Sequence, residues 1–310
     1  MSDRPPVVSV VIPTHNRAHF VERAVESVLN QTYSDYEMIV VDDCSSDATP
    51  KKFSQTTDPR VRYIRHTRRQ GGSAARNTGI AAAKGKFIAF LDDDDEWLPE
   101  KLDLQVKLLG KNPTIAMVYS GFFTVNNANK KVLNVVRPNK CGHLYDSLLQ
   151  LNCIGTTSTA MIRRECFTRV GTFDTSLPSF QDWDLWLRIA RKYEIGCVEE
   201  PLVRFFDHDV RITHDFDARI EGKKKVRRKI LRDIENKPRI SSYHHFKIGR
   251  FYCQKGDVPN GRKELFKAIK LHPYCFLYYK YLVPCLFGPS FYNALLTTKR
   301  SVVKCFRLGK

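Results

Sequence analysis

Hydrophobic positions in the first half of the chain alternate between unbroken apolar runs and helical stripes. Val7 to Pro13 (VVSVVIP) is a β-branched run closed by proline, which predicts a strand buried on both faces. Val21, Ala24, Val25, Val28 and Leu29 then recur at helical spacing and predict an amphipathic helix. Glu37 to Val41 (EMIVV) predicts a second buried strand running into Asp42 and Asp43, and Val61 to His66 a weaker third. Gly72 to Ala83 is rich in small residues and reads as helix. Lys86 to Leu91 (KFIAFL) is another buried strand, and it ends in four consecutive acids, Asp92 to Asp95. This alternation predicts a parallel, doubly wound α/β sheet. Such sheets bind ligands beyond the carboxyl ends of their strands, where Thr14, Asp42 and the Asp92 cluster fall.

Further on, Ile115 to Arg137 is strand-like without clear helices and predicts a mixed or antiparallel section. Asp182 to Lys192 opens with acids and closes with bases, as the helix dipole favours. Val198 to Asp207 returns to strand. After about Thr213 only basic helices are expected, so the predicted division is an α/β domain over 1–212 and a helical region over 213–310.

Charge sharpens that division. Of the net +18, +17 lies between Arg211 and Lys310, where 24 basic residues face 7 acidic ones. A near-neutral body and a basic tail imply different partners. With 42% hydrophobic residues and 16 Gly and 15 Pro in 310, the chain can bury a core, which excludes wholesale disorder and collagen-like repeats. The nine cysteines are scattered singly with no Cys-x-x-Cys pair, as expected of reduced thiols in the cytoplasm. Met1 to Pro6 lacks the character of a signal peptide. Between Lys280 and Lys299 lie 18 uncharged residues, but Pro284, Gly288 and Pro289 interrupt them, which disfavours a membrane span.

Four carboxylates in a row repel one another unless a cation sits among them. A divalent cation with oxygen ligands is the obvious candidate. A solvated acidic loop capping the helix near Pro99 is the plainer alternative. The second acid-ended strand beside it favours the cation.

Six segments, in order, carry a resemblance: VSVVIPTHNR ending at Arg17, SVLNQTY (27–33), VVDDCSSD (40–47), ARNTGI (75–80), GKFIAFLDDDD (85–95) and QDWDLWLR (181–188). Together they resemble glycosyltransferase family 2 over about residues 7 to 210. The resemblance implies a GT-A fold, with a Rossmann-like, mostly parallel central sheet, and inverting transfer from a nucleotide-sugar donor. It implies that Pro13, Thr14 and Asn16 line the nucleoside pocket and that Asp42 accepts a hydrogen bond from the base. Arg76 would reach the nucleotide side. Asp92 would face the ribose, with Asp93 also on the donor, and Asp94 would coordinate Mn²⁺ or Mg²⁺. Asp182 matches the catalytic base, and His208 a residue near the metal and diphosphate. A UDP-sugar donor, a glycan or lipid-linked acceptor and a role in cell-envelope polysaccharide synthesis follow from the resemblance alone.

The chemistry agrees with these roles. A metal neutralises charge on the leaving diphosphate, and a carboxylate must take the acceptor's proton from the opposite side. One departure is Gln181, where the family commonly has Glu; glutamine can hydrogen-bond but not ionise. Asp184 is the alternative base, yet two positions along a helix turn it about 200° away. Trp183, Trp186 and Leu187 read as core. Arg211 is either a screen for the diphosphate or a surface charge.

The basic third reads as a partner surface. Lys223, Lys224, Lys225, Arg227, Arg228 and Lys229 put six cations in seven residues, and 247–273 resembles a tetratricopeptide-type helix pair. An anionic membrane surface, with segment 276–296 lying in the interface, is the favoured partner for 211–310, at the inner face of the cell membrane. Nucleic acid is disfavoured because no recognised motif accompanies the charge. Two other classes compete with catalysis. A nucleotidyltransferase lacks its glycine-rich phosphate loop here, and a non-catalytic or partner-binding protein on the same fold would have lost the acids.

Overall fold

The computed structural model describes residues 4–207 and 215–287. They fall into two compact units. One runs to Ser176 and resumes at Gln181; the other comprises Leu177–Phe180 and the helices after the last strand.

The first unit contains β1 (Val8–Thr14), α1 (Ala18–Leu29), β2 (Tyr36–Asp42), α2 (Thr49–Ser54), β3 (Val61–Arg65), α3 (Gly72–Ala82), β4 (Phe87–Phe90), β5 (Glu96–Trp97) and α4 (Lys101–Lys111). There follow β6 (Ile115–Asn126), β7 (Val132–Val136), α5 (Tyr145–Gln150), β8 (Ala160–Arg163), α6 (Cys166–Val170), α7 (Gln181–Ala190) and β9 (Glu194–Asp207). All nine strands form one sheet in the order β3-β2-β1-β4-β8-β6-β9-β5, with β7 on the free side of β6. The half from β3 to β4 is parallel, as the continuous apolar runs predict. Beyond β4 the sheet is mixed: β8 runs antiparallel to both β4 and β6, while β6 and β9 are parallel.

Register brings the chemistry together. Thr14 pairs with Asp42, and Asp42 with Arg65, so three strand ends lie side by side. The sheet packs on α1 and α4 through Val10, Ile12, Val21, Val28, Met38, Val40, Leu102 and Leu109, all without exposed surface. On α3, small residues serve close approach. A Cβ at Gly79 would stand 2.3 Å from Val11 Cγ1 in the middle of β1. Gly79→Ala should therefore cost roughly 1–3 kcal/mol by overpacking, despite alanine's better helix propensity of about 1 kcal/mol. Denaturant unfolding checks this; an unchanged midpoint would mean that α3 does not need that proximity.

The second unit is helical: α8 (Phe216–Lys229), α9 (Leu231–Ile234), α10 (Pro238–Lys255), α11 (Val258–Leu271) and α12 (Phe276–Leu286). It has its own core of Phe246, Cys253, Val258, Leu265, Ala268, Tyr278, Leu282 and Cys285. The expected helix pair is α10 with α11, joined at Asp257, whose side chain caps α11 by accepting from Asn260 N. The helices cross closely at Gly261, where a Cβ would lie 2.2 Å from Cys253 Sγ. The apolar segment begins as α12, which carries Pro284 inside it; residues 288–296 lie outside the described residues. Among the described residues no helix is long and apolar enough to cross a membrane.

Candidate active site

The turn after β1 is built on Asn16, which adopts a left-handed conformation (φ 52°) that asparagine tolerates. Its backbone N–H donates to Ser45 Oγ at 2.8 Å, and its Oδ1 accepts from Ser46 N at 2.7 Å. From the facing loop, Asp47 Oδ2 accepts from Ala18 N at 2.9 Å. The loops after β1 and β2 are thereby pinned into one wall. Asn16 stands exposed on it, whereas Pro13 and Thr14 are buried behind it.

Asp42 is 0% exposed. Its oxygens accept from Ser45 N at 2.8 Å and from the Tyr63 hydroxyl, and Arg65 Nε lies 3.6 Å away. It positions its neighbours and presents no surface of its own, so the expected contact with a base needs one of these partners to yield. Asp43 is likewise an anchor. Burial alone would raise its pKa, but His66 and the Gln70 and Gly71 N–H groups hold it below the ordinary value.

The four acids after β4 are not a solvated loop. Asp93, Asp94 and Asp95 are buried, and only Asp92 is half-exposed. The protein supplies much of the counter-charge itself. Arg17 Nη1 bridges Asp93 Oδ1 at 2.9 Å and Asp94 Oδ2 at 3.1 Å, and Arg76 Nη2 meets Asp92 Oδ1 at 2.5 Å. Asp93 also accepts from Thr14 Oγ1 at 2.8 Å. Burial pushes its pKa up to about 6, with Arg17 opposing and Asp94 reinforcing the shift. Asp95 is structural: it accepts from Ser158 Oγ at 2.7 Å, and its N–H closes the turn onto Asp92 O. Thr157 Oγ1 lies within 3.0 Å of both Asp92 oxygens.

Asp182 sits in the first turn of α7, half-buried, with Asn152 Nδ2 donating to its Oδ2 at 3.0 Å. Burial pushes its pKa up to about 6; the Trp183 N–H and Arg76 lower it, and Asp92 raises it. Asp182, Arg76 and Asp92 therefore sense one another's charge. The alternative base fares differently. Asp184 is buried and paired with Arg188 at 2.9 Å, and that guanidinium also donates to the Val170 and Thr172 carbonyls. Trp183 and Trp186 are core, as predicted.

A metal at Asp94 would meet hard oxygen donors, the right chemistry for Mn²⁺ or Mg²⁺. No group of three His, Cys, Asp or Glu among the described residues could hold an ion by itself. The residues thus fit a cation that takes one or two carboxylates and shares a substrate's phosphates. His208 and Arg211 lie outside the described residues. Arg17, Asn152 and Thr157 went unassigned by sequence reasoning; for the last, the run of small hydroxyl residues at Thr156–Thr159 was the available signal.

A half-parallel, half-mixed sheet with an acid cluster at its strand ends and a second carboxylate facing the same cleft defines a GT-A glycosyltransferase. Residues 9–171 match the sequence profile of glycosyl transferase family 2, and the chain belongs to that family. It is 35% identical over 193 residues to the UDP-Glc:alpha-D-GlcNAc-diphosphoundecaprenol beta-1,3-glucosyltransferase WfgD of Escherichia coli, a match covering 62% of this chain and 73% of the relative. WcaA of Escherichia coli K12, named for colanic acid biosynthesis, is 33% identical over 63% of this chain and 70% of its own length. Among solved structures, S. aureus TarS 1–349 in complex with UDP-GlcNAc shares the fold with a TM-score of 0.65 at 18% identity, over 85% of this chain and 81% of that one. A Pyrobaculum calidifontis mannosyltransferase in complex with GDP-Man and Mn²⁺ gives 0.57 at 20% identity, over 97% of this chain and 86% of that one.

Proposed function

We propose that this glycosyltransferase moves a sugar, with inversion, from a UDP-sugar to a hydroxyl of a lipid-linked glycan in cell-envelope polysaccharide synthesis. The observation that carries the reading is the trio Asp182, Arg76 and Asp92, one raised carboxylate sharing a cleft with a second carboxylate and a guanidinium. Asp182 takes the acceptor's proton as the hydroxyl attacks, because its raised pKa brings it closer to that of a base working near neutral pH. Asn152 holds the carboxylate in orientation. Asn16 offers its side chain to the nucleoside from the pinned wall, over Pro13, Thr14 and Asp42, while Asp92 and Asp93 face the ribose and diphosphate side. Asp94, with His208, would hold Mn²⁺ or Mg²⁺. When bound, the cation supplies Lewis-acid neutralisation of the leaving diphosphate. The names of WfgD and TarS support a UDP-linked donor, and that of WfgD a lipid diphosphate acceptor. The basic stretch 211–310 would hold the enzyme at the anionic inner face of the cell membrane.

The test is a screen of purified protein with Mn²⁺ or Mg²⁺ against a panel of nucleotide sugars, following released nucleotide. Release from one UDP-sugar, stimulated by a lipid-linked acceptor, is expected. Turnover of GDP-sugars alone would overturn the donor assignment, and no release from any donor the catalytic one.

A further inference from the structure

The helical unit gathers positive charge around an aromatic pair. Phe180 and Phe251 stack with centroids 6.3 Å apart. The Arg219 guanidinium lies 4.2 Å from the centre of the Phe251 ring, and Lys247 Nζ lies 5.8 Å from the same centre. Lys223 Nζ stands 5.9 Å from the Phe180 ring. Two helices, α8 and α10, thus direct three cations from 219, 223 and 247 onto one small aromatic platform. Arg250, one residue before Phe251, adds its field: it acts on both Arg219 and Lys247.

This arrangement is electrostatically unfavourable. Lys223 is only 4% exposed. Burial lowers its pKa well below the ordinary value and Lys247 lowers it further. Burial likewise brings Lys247 down to about 8, with Arg250 and Arg219 adding to the shift. Aromatic faces offset part of the repulsion, but a packed core would reach the same stability more simply with apolar side chains. Clustered like charges that cost stability are the mark of a ligand site rather than of packing. The ligand that best offsets them is a compact polyanion with several acceptor oxygens, which arginine engages in a fork and lysine as a point charge.

We propose that Arg219, Lys223 and Lys247, seated on the Phe180–Phe251 stack, form a binding site for a diphosphate group. Its bearer can be the lipid of a diphosphate-linked acceptor or a free anion. The lipid assignment rests on the function proposed above; the anion site does not.

The test uses the full chain in buffer free of divalent cations, with the donor cleft saturated by UDP. Inorganic diphosphate and farnesyl diphosphate are titrated separately by calorimetry. Arg219→Gln/Lys247→Gln should bind both at least about tenfold more weakly, because each cation contributes a charge-assisted hydrogen bond worth that much or more. Lys229→Gln/Lys270→Gln, which removes the same charge from exposed positions, should bind as the parent does. Without ligand, the melting temperature of the cluster variant should hold or rise as repulsion is relieved. Tighter binding of farnesyl than of inorganic diphosphate assigns the site to a lipid-borne group, and equal binding to the anion alone. Absence of binding by both probes, an equal loss in the exposed-lysine variant, or a lowered melting temperature with unchanged binding would overturn the proposal. Failure of the donor reading would show separately, as loss of UDP binding in the parent protein.

Discussion

Asp182→Asn is expected to bind UDP-sugar as the parent does and to lose roughly 10²–10⁴-fold in kcat, the usual worth of a positioned general base. The amide keeps the hydrogen-bonding shape beside Asn152 but cannot accept the acceptor's proton. The pH profile adds an independent signature. Burial brings the Asp182 pKa up to about 6, so the parent should lose activity as pH falls through about 6 and the base becomes protonated. The variant should lack that limb. Asp184→Asn should do the reverse. It leaves Arg188 without its ion pair beside the Val170 and Thr172 carbonyls, so stability falls while the chemistry persists. Loss of transfer in the Asp184 variant alone would move the base.

Asp94→Asn should separate metal-dependent from metal-independent binding. In calorimetry with UDP, the parent should gain affinity on adding Mn²⁺. The variant should lose that gain by on the order of 10–100-fold or more, since even outer-shell partners of a metal are worth that much. The fold should survive, because Arg17 retains Asp93 at 2.9 Å. An unchanged Mn²⁺ effect would place the cation on other groups. A donor affinity in the parent that ignores Mn²⁺ would mean that Arg17 and Arg76 carry the diphosphate's charge without a metal.

What could be read in the chain depended on how local the signal was. β1, β2 and β4 announce themselves because strands buried on both faces are continuous apolar runs. β5, with two residues, and β8, with four, carry no such pattern; neighbours distant in the chain define them. The acids of the site were visible for the same reason, each ending a run or opening a helix. Their partners were not. Arg17 reaches Asp93 across 76 residues, Thr157 reaches Asp92 across 65, and Asn152 reaches Asp182 across 30. The repulsion within Asp92–Asp95 pointed in sequence to a divalent cation; in the folded chain Arg17 and Arg76 already meet much of that need. Likewise Asp42 was legible as an acid at a strand end, but its complete burial beneath Tyr63 and Ser45 follows only from the register of β1, β2 and β3.

The stereochemistry of transfer tests the account most directly. Attack in line, with Asp182 as the single base and the diphosphate leaving on the far side, requires inversion at the anomeric carbon. Proton NMR of the product formed from an α-linked UDP-sugar should show the large anomeric coupling of a β-linkage from the first turnover onward. An α-linked product would contradict the one-base mechanism and with it the role assigned to Asp182.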